Sequence, residues 1–194
     1  MRFLAIAALV FVANCGSAPP DGPPAVTPPP EVSTEGAVVI ETTATVPMDL
    51  ATFRAFLVDN PLIGFLAPVD DLAPPVEARV LDGNWPDAGA VRWLRLEDGH
   101  YVIERILENE LELFRYQIWV ITNAAGRAVE QIVGEQTFTD VGDGRTRFDW
   151  TYAIKPRNGL ARFFVNQRRS VFEDYLGGAT DRMAEAARAD ANGS

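Results

Sequence analysis

The chain has 194 residues, 47% hydrophobic and 23% charged, which suits a globular protein with one sizeable core. A formal charge of -10 and a pI near 4.6 argue against nucleic-acid binding, which draws its affinity from clustered Lys and Arg; only one Lys, Lys155, accompanies the arginines. The acidity reads as solubility rather than as a field that steers cationic partners.

Met1-Arg2 and the apolar run Phe3 to Ala13 have the form of a secretory signal: a positive start, then a hydrophobic stretch too short to span a membrane. Residues 1–14 are expected to be removed on export. Val12-Ala13-Asn14-Cys15 resembles the lipobox of bacterial lipoproteins, although Asn14 stands where a small residue is usual. Cys15 is the only cysteine, so no intrachain disulfide is available, and lipidation at Cys15 with anchoring at the periplasmic face of the envelope is the expectation. Residues 15–34 read as a spacer. Seven of the twelve residues from Pro19 to Pro30 are proline, which fixes φ and removes donors, so the stretch should be extended and hold the domain roughly 40–50 Å from its anchor.

The folded domain is expected over residues 35–188. Gly36 to Val46 is rich in β-branched residues and ends at Pro47, predicting a first strand. Asp49 to Val58 puts Leu50, Phe53, Phe56 and Leu57 at helical spacing behind an acidic cap, and a second short helical turn is expected over Leu62 to Leu66. Six strands follow: Val76 to Leu81, Gly89 to Leu96, Tyr101 to Leu107, Phe114 to Thr122, and the two runs of a hairpin between Ala128 and Pro156 that turns at Gly142-Asp143-Gly144. In the last run Phe148, Trp150, Tyr152 and Ile154 alternate with Arg147, Asp149, Thr151 and Lys155, giving one aromatic face that needs cover. Asn158 to about Ala187 supplies it as one long amphipathic helix, weakened at Gly177-Gly178, with a frayed tail at 189–194.

This order of elements, the Val46-Pro47 entry into the first helix, the Gly142-Asp143-Gly144-Arg145-Thr146 turn before an aromatic strand and the amphipathic end helix resemble the START/Bet v 1-like (SRPBCC, polyketide cyclase/dehydrase-like) superfamily. The resemblance implies an α+β helix-grip fold, in which a seven-stranded curved antiparallel sheet wraps a long C-terminal helix and two short helices follow the first strand. It also implies a cavity for apolar molecules such as lipids, sterols or polyketides. No catalytic residues hold across that superfamily, so it assigns none here.

The residues themselves offer little catalytic chemistry. One histidine, His100, beside the Asp98-Gly99 turn, argues against a zinc or Ser-His-Asp site and is expected to be solvent-exposed. No phosphate-binding loop or other cofactor motif is present, since Gly142 and Gly144 belong to a hairpin. Alternation groups Tyr116 with Phe114, Ile118 and Val120, and Gln136 with Ile132, Gly134 and Phe138, beside Trp150 and Tyr152. Gly134 should leave room for a ligand or for the helix. Either Tyr101, Ile103 and Leu107 face inward, or Val102, Glu104 and Ile106 do; an outward Glu104 is the favoured alternative, and an inward one would become a candidate acid or base. Candidate ligand contacts are Tyr116, Ile118, Gln136, Trp150, Tyr152, Phe163 and Phe164, with Glu104 and Tyr116 as weak catalytic candidates. Three functions compete: a tethered module binding a hydrophobic molecule or lipid, a cyclase- or hydrolase-like enzyme using the same cavity, and an envelope interaction domain with a filled core.

Overall fold

In the computed structural model, which describes residues 18–22 and 26–193, Val38–Val46 forms the first strand, β1. The expected signal segment and Cys15 lie outside the described residues. Asp49 caps helix α1 (Leu50–Asp59): its carboxylate accepts from the Thr52 amide at 3.0 Å, satisfying a donor that the first turn leaves free. A 3-10 turn, Leu62–Phe65, leads to strands β2 (Pro75–Asp82), β3 (Val91–Leu96), β4 (Tyr101–Asn109), β5 (Leu113–Ile121), β6 (Val129–Gly142) and β7 (Arg145–Pro156). Helices α2 (Gly159–Gln167) and α3 (Arg169–Gly193) complete the chain.

The seven strands form one antiparallel sheet in the order β1-β7-β6-β5-β4-β3-β2. β6 and β7 meet at Asp143-Gly144, both at positive φ (54° and 64°), the backbone that a two-residue hairpin turn requires. On the inner face Phe53 of α1 meets Phe138 and Phe148 edge-on, with ring centroids 5.9 and 6.2 Å apart, and locks the first helix to the hairpin. Leu176, Ala179, Met183 and Ala187 of α3 are buried in the same core. This is the helix-grip arrangement of a curved sheet around a long C-terminal helix, with short helical elements after the first strand. Among the described residues no helix is long and apolar enough to cross a membrane.

The single C-terminal helix of the sequence reading is two helices. The break falls at Arg168 (φ -101°, ψ 9°) and not at Gly177-Gly178. Asp70 and Asp71 of the loop before β2 hold the Arg168 guanidinium, and the Arg168 carbonyl accepts from Val171 and Phe172 to start α3. The glycine pair stays helical because Leu176 and Ala179 on either side are fully buried, and tertiary packing outweighs a local propensity deficit of about 1 kcal/mol per glycine. α3 also runs to Gly193, through the tail expected to fray.

The outer face of the sheet carries a second apolar cluster, Val91, Trp93, Tyr101, Ile103 and Trp119. The Pro-rich segment crosses it as a strap rather than standing off as a free spacer. Trp119 Nε1 donates to the Thr27 carbonyl at 3.1 Å, Gln117 Nε2 to the Pro30 carbonyl at 3.2 Å, and Gln131 Nε2 to the Glu31 carbonyl at 3.0 Å. Gln117 and Gln131 are fully buried and linked to each other at 2.5 Å. Further along, Pro19 lies over the β3–β4 turn, where a Cβ on Gly99 would stand 3.1 Å from its ring. A proline-rich chain cannot donate to a strand ladder but leaves its carbonyls available, and long amide side chains reach them. His100, expected in solvent, is buried at this end: its amide is capped by Asp98, and its Nδ1 lies 3.2 Å from Thr122 Oγ1.

Candidate functional site

Strand alternation collects Leu94 and Leu96 from β3, Val102 from β4, Phe114 and Ile118 from β5, Ile132 from β6, and Trp150 and Tyr152 from β7 around a cavity of about 510 Å³. α1 closes it with Leu57 and Val58, the 3-10 turn with Leu62 and Ile63, and α3 with Phe172, Tyr175 and Leu176. The volume falls in the range of about 300–1,000 Å³ typical of small-molecule sites, and the walls are mostly apolar and aromatic. Its exposed lining residues, Val58, Pro61, Ala78 and Pro86, mark the approach from solvent between the end of α1 and the edge strand β2.

Five of the seven expected contacts, Tyr116, Ile118, Gln136, Trp150 and Tyr152, line this cavity together. Phe163 and Phe164 do not. They are 56% and 55% exposed on α2, whose buried side is Ala161 and Val165, because the break at Arg168 gives α2 its own orientation. Val120 is a second correction. A register shift pairs Ile103 with Val120 but Glu104 with Ile118, so Trp119 and Val120 both join the outer cluster and Ile121 turns inward. A bulge of this kind leaves no mark on simple alternation.

The parity of β4 is also decided: Val102 and Glu104 line the cavity, while Tyr101 and Ile103 face the outer cluster. Glu104 is 3% exposed, and Arg92, its cross-strand neighbour on β3, reaches it with Nε and Nη2 at 2.5 Å. The guanidinium carbon of Arg92 sits 3.7 Å over the ring of Trp85, so the ion pair is clamped from one side by an aromatic face. Sequence reading missed Arg92, Trp85 and Arg54 as lining residues. Cross-strand adjacency of Arg92 to Glu104 was the available signal, and it required the register.

Trp150 Nε1 donates to Tyr116 Oη at 3.1 Å. The Tyr116 ring lies flat against Gly134, its cross-strand partner, where an added Cβ would stand 2.1 Å from Cζ. The space left by Gly134 is thus filled by a tyrosine ring rather than by ligand or helix. Gly134→Ala is expected to displace that ring, break the Trp150 hydrogen bond and cost about 1–3 kcal/mol, measurable by thermal unfolding and loss of near-ultraviolet circular dichroism.

All four tyrosines, Tyr101, Tyr116, Tyr152 and Tyr175, have phenol pKa values pushed up, in each case chiefly by burial. Unfolded phenols ionise near about pH 10, so above that value the unfolded chain releases protons that the native state keeps. Stability is fully present below about pH 10 and falls as pH rises beyond it. Phenolate absorbance is therefore expected to appear together with loss of secondary structure, not as a separate titration at the free-tyrosine value.

Among the described residues no three His, Cys, Asp or Glu side chains gather where a metal ion could bind, and His100 does not line the cavity. Glu104 is held by Arg92, and burial holds the Tyr116 phenol in its neutral form.

Solved structures share the fold at low sequence identity. Ginseng major latex-like protein 151 from Panax ginseng is 14% identical with a TM-score of 0.55, over 78% of this chain and 97% of that one. The protein XoxI from Bacillus cereus is 14% identical with a TM-score of 0.52, over 75% and 94%. The Zhui aromatase/cyclase from Streptomyces sp. R1128 is 17% identical with a TM-score of 0.50, over 75% and 94%. No curated protein matches the chain in sequence. The family model described as "Polyketide cyclase / dehydrase and lipid transport" matches residues 37–188, most of the chain, from before β1 to within the last turns of α3. With the helix-grip fold and its apolar cavity in place, that match makes the chain a member of the polyketide cyclase/dehydrase and lipid transport family, within the SRPBCC superfamily.

Proposed function

We propose that the protein is an exported, membrane-tethered domain that holds a hydrophobic small molecule or lipid between its sheet and its C-terminal helices. The observation that carries the binding reading is the cavity of about 510 Å³, whose apolar wall is interrupted by a few polar groups, among them the Arg92–Glu104 pair and Gln136. Membership of a family described by lipid transport as well as by cyclisation supports the same reading. Export and tethering rest on Met1 to Ala13 and on Cys15. The anchoring part is tested by metabolic labelling with a clickable fatty acid, where Cys15→Ser should abolish the label.

For the binding part, organic extraction of the purified protein should release an apolar ligand, and a panel of fatty acids and polyprenyl compounds should quench the emission of Trp85 and Trp150. An empty extract together with no response to the panel would sink the reading. A cyclase-like activity is the second reading, favoured by the carboxylate of Glu104 and the phenol of Tyr116 sharing the cavity. Glu104→Gln and Tyr116→Phe that leave turnover of a polyketide substrate unchanged would remove those assignments.

A further inference from the structure

The charged residues lining the cavity are Arg54, Arg92 and Glu104. Arg92 and Glu104 neutralise each other at 2.5 Å, which leaves one formal positive charge on the wall, Arg54. Arg54 makes no ion pair among the described residues. Its Nη2 donates to the neutral Asn109 Oδ1 at 2.6 Å, and its guanidinium carbon lies 4.5 Å over the ring of Phe138. Asn109 is itself fixed, donating to the Pro86 carbonyl at 3.0 Å, so the guanidinium is oriented by a chain of contacts while most of its five donors remain uncommitted. Burial lowers its pKa, the effect of desolvation uncompensated by a carboxylate.

Two further features belong to the same end of the cavity. Arg54 lies one helical turn before Val58, an exposed lining residue, and Asn109 holds on to Pro86, another. Gln136, the inward residue next to Phe138 on β6, is buried and lines the cavity, and its side-chain amide has no hydrogen-bond partner among the described residues. Among the described residues, a guanidinium without a carboxylate partner and a side-chain amide without a hydrogen-bond partner thus line an otherwise greasy chamber, Arg54 beside its exposed rim.

We infer that the ligand is an amphiphile with a single anionic head, a long-chain carboxylate being the simplest case, bound with its head on Arg54 and Gln136 and its apolar body along Trp150, Tyr152 and Ile132. The inference rests on the binding function proposed above and adds the charge of the ligand to it. A carboxylate head fits the fork of a guanidinium, and the apolar surroundings strengthen the pairing relative to water.

The test compares hexadecanoate, its methyl ester and butanoate, each titrated into the purified full-length protein and into Arg54→Met, with tryptophan emission as the readout. Hexadecanoate should bind the wild-type protein about tenfold or more tighter than the methyl ester, the effect expected of a charge-assisted hydrogen bond. Arg54→Met, which keeps the aliphatic stem over Phe138, should lose that preference, acid and ester then binding alike, while its near-ultraviolet circular dichroism matches wild type and shows that the cavity is intact. Butanoate should bind far more weakly than hexadecanoate. Equal wild-type affinity for acid and ester would overturn the inference and leave the binding function standing; butanoate binding as tightly as hexadecanoate would overturn it in favour of a plain anion site. If neither long-chain probe binds wild-type protein, the inference is overturned, while the binding function stands or falls with the organic extract and the wider panel.

Discussion

Replacing Glu104 with leucine while Arg92 remains is expected to cost about 3–5 kcal/mol, because it strands a guanidinium in a largely desolvated site. For a domain of this size that corresponds to a fall of roughly 10 °C in the thermal midpoint. The lower end of the range applies if Arg92, whose side chain is 11% exposed, can swing toward solvent; its stacking on Trp85 opposes that escape. The double variant Arg92→Met, Glu104→Leu should recover most of the loss or exceed the wild type, since two desolvation penalties vanish together. Thermal or urea unfolding of these two variants, of Arg92→Met alone and of the wild type forms a double-mutant cycle. A coupling near zero would mean that the pair is solvated in practice rather than a desolvated ion pair in the cavity wall.

Removing the strap gives the second large effect. A chain beginning at Val32 loses three side-chain hydrogen bonds to strap carbonyls, each worth about 1 kcal/mol net, and uncovers the ring of Trp119. Releasing the strap returns some chain entropy, but proline has little to regain, so a net destabilisation of about 2–4 kcal/mol is expected. The freed amides of Gln117 and Gln131 rehydrate, which keeps the loss below that of an orphaned buried pair. Trp119 supplies an independent readout: its emission should shift to the red in the truncated chain. An unchanged midpoint with unchanged emission would show that the strap does not hold the outer face. The strap precedes the family-matched residues 37–188, so it is an addition to the shared fold rather than part of it.

Much of the fold was legible because its signals are local. Asp49 before Leu50, Phe53 and Phe56 specifies a capped helix whatever surrounds it, and Asp143-Gly144 specifies a tight hairpin. Alternation along Phe148 to Ile154 told which side of β7 needed cover, and it correctly grouped Tyr116, Ile118, Gln136, Trp150 and Tyr152 on one wall. Failures came where a side chain's direction depends on something remote. Val120 was misassigned because one extra residue in β5 reverses the faces beyond it, and a bulge is a property of two paired strands. Phe163 and Phe164 match the helical period of a buried face, yet the helix that carries them ends at a bend held by Asp70 and Asp71 from another part of the chain. His100 was read as solvent-facing from its place at a turn, yet it is buried, with Nδ1 beside Thr122 Oγ1 from the neighbouring strand end.

By itself the sequence determined the order of elements and the aromatic face, since these follow from periodicity, caps and turns encoded within a few residues of one another, and that order carried the resemblance to the family. Tertiary structure alone decided that Glu104 points inward, that Arg92 neutralises it and Arg54 is left without a carboxylate among the described residues, and that Thr27 to Glu31 of the proline-rich segment bind the outer face. Each of those outcomes depends on which groups from distant parts of the chain come within a few ångströms, and electrostatic pairing and burial exist only at that distance.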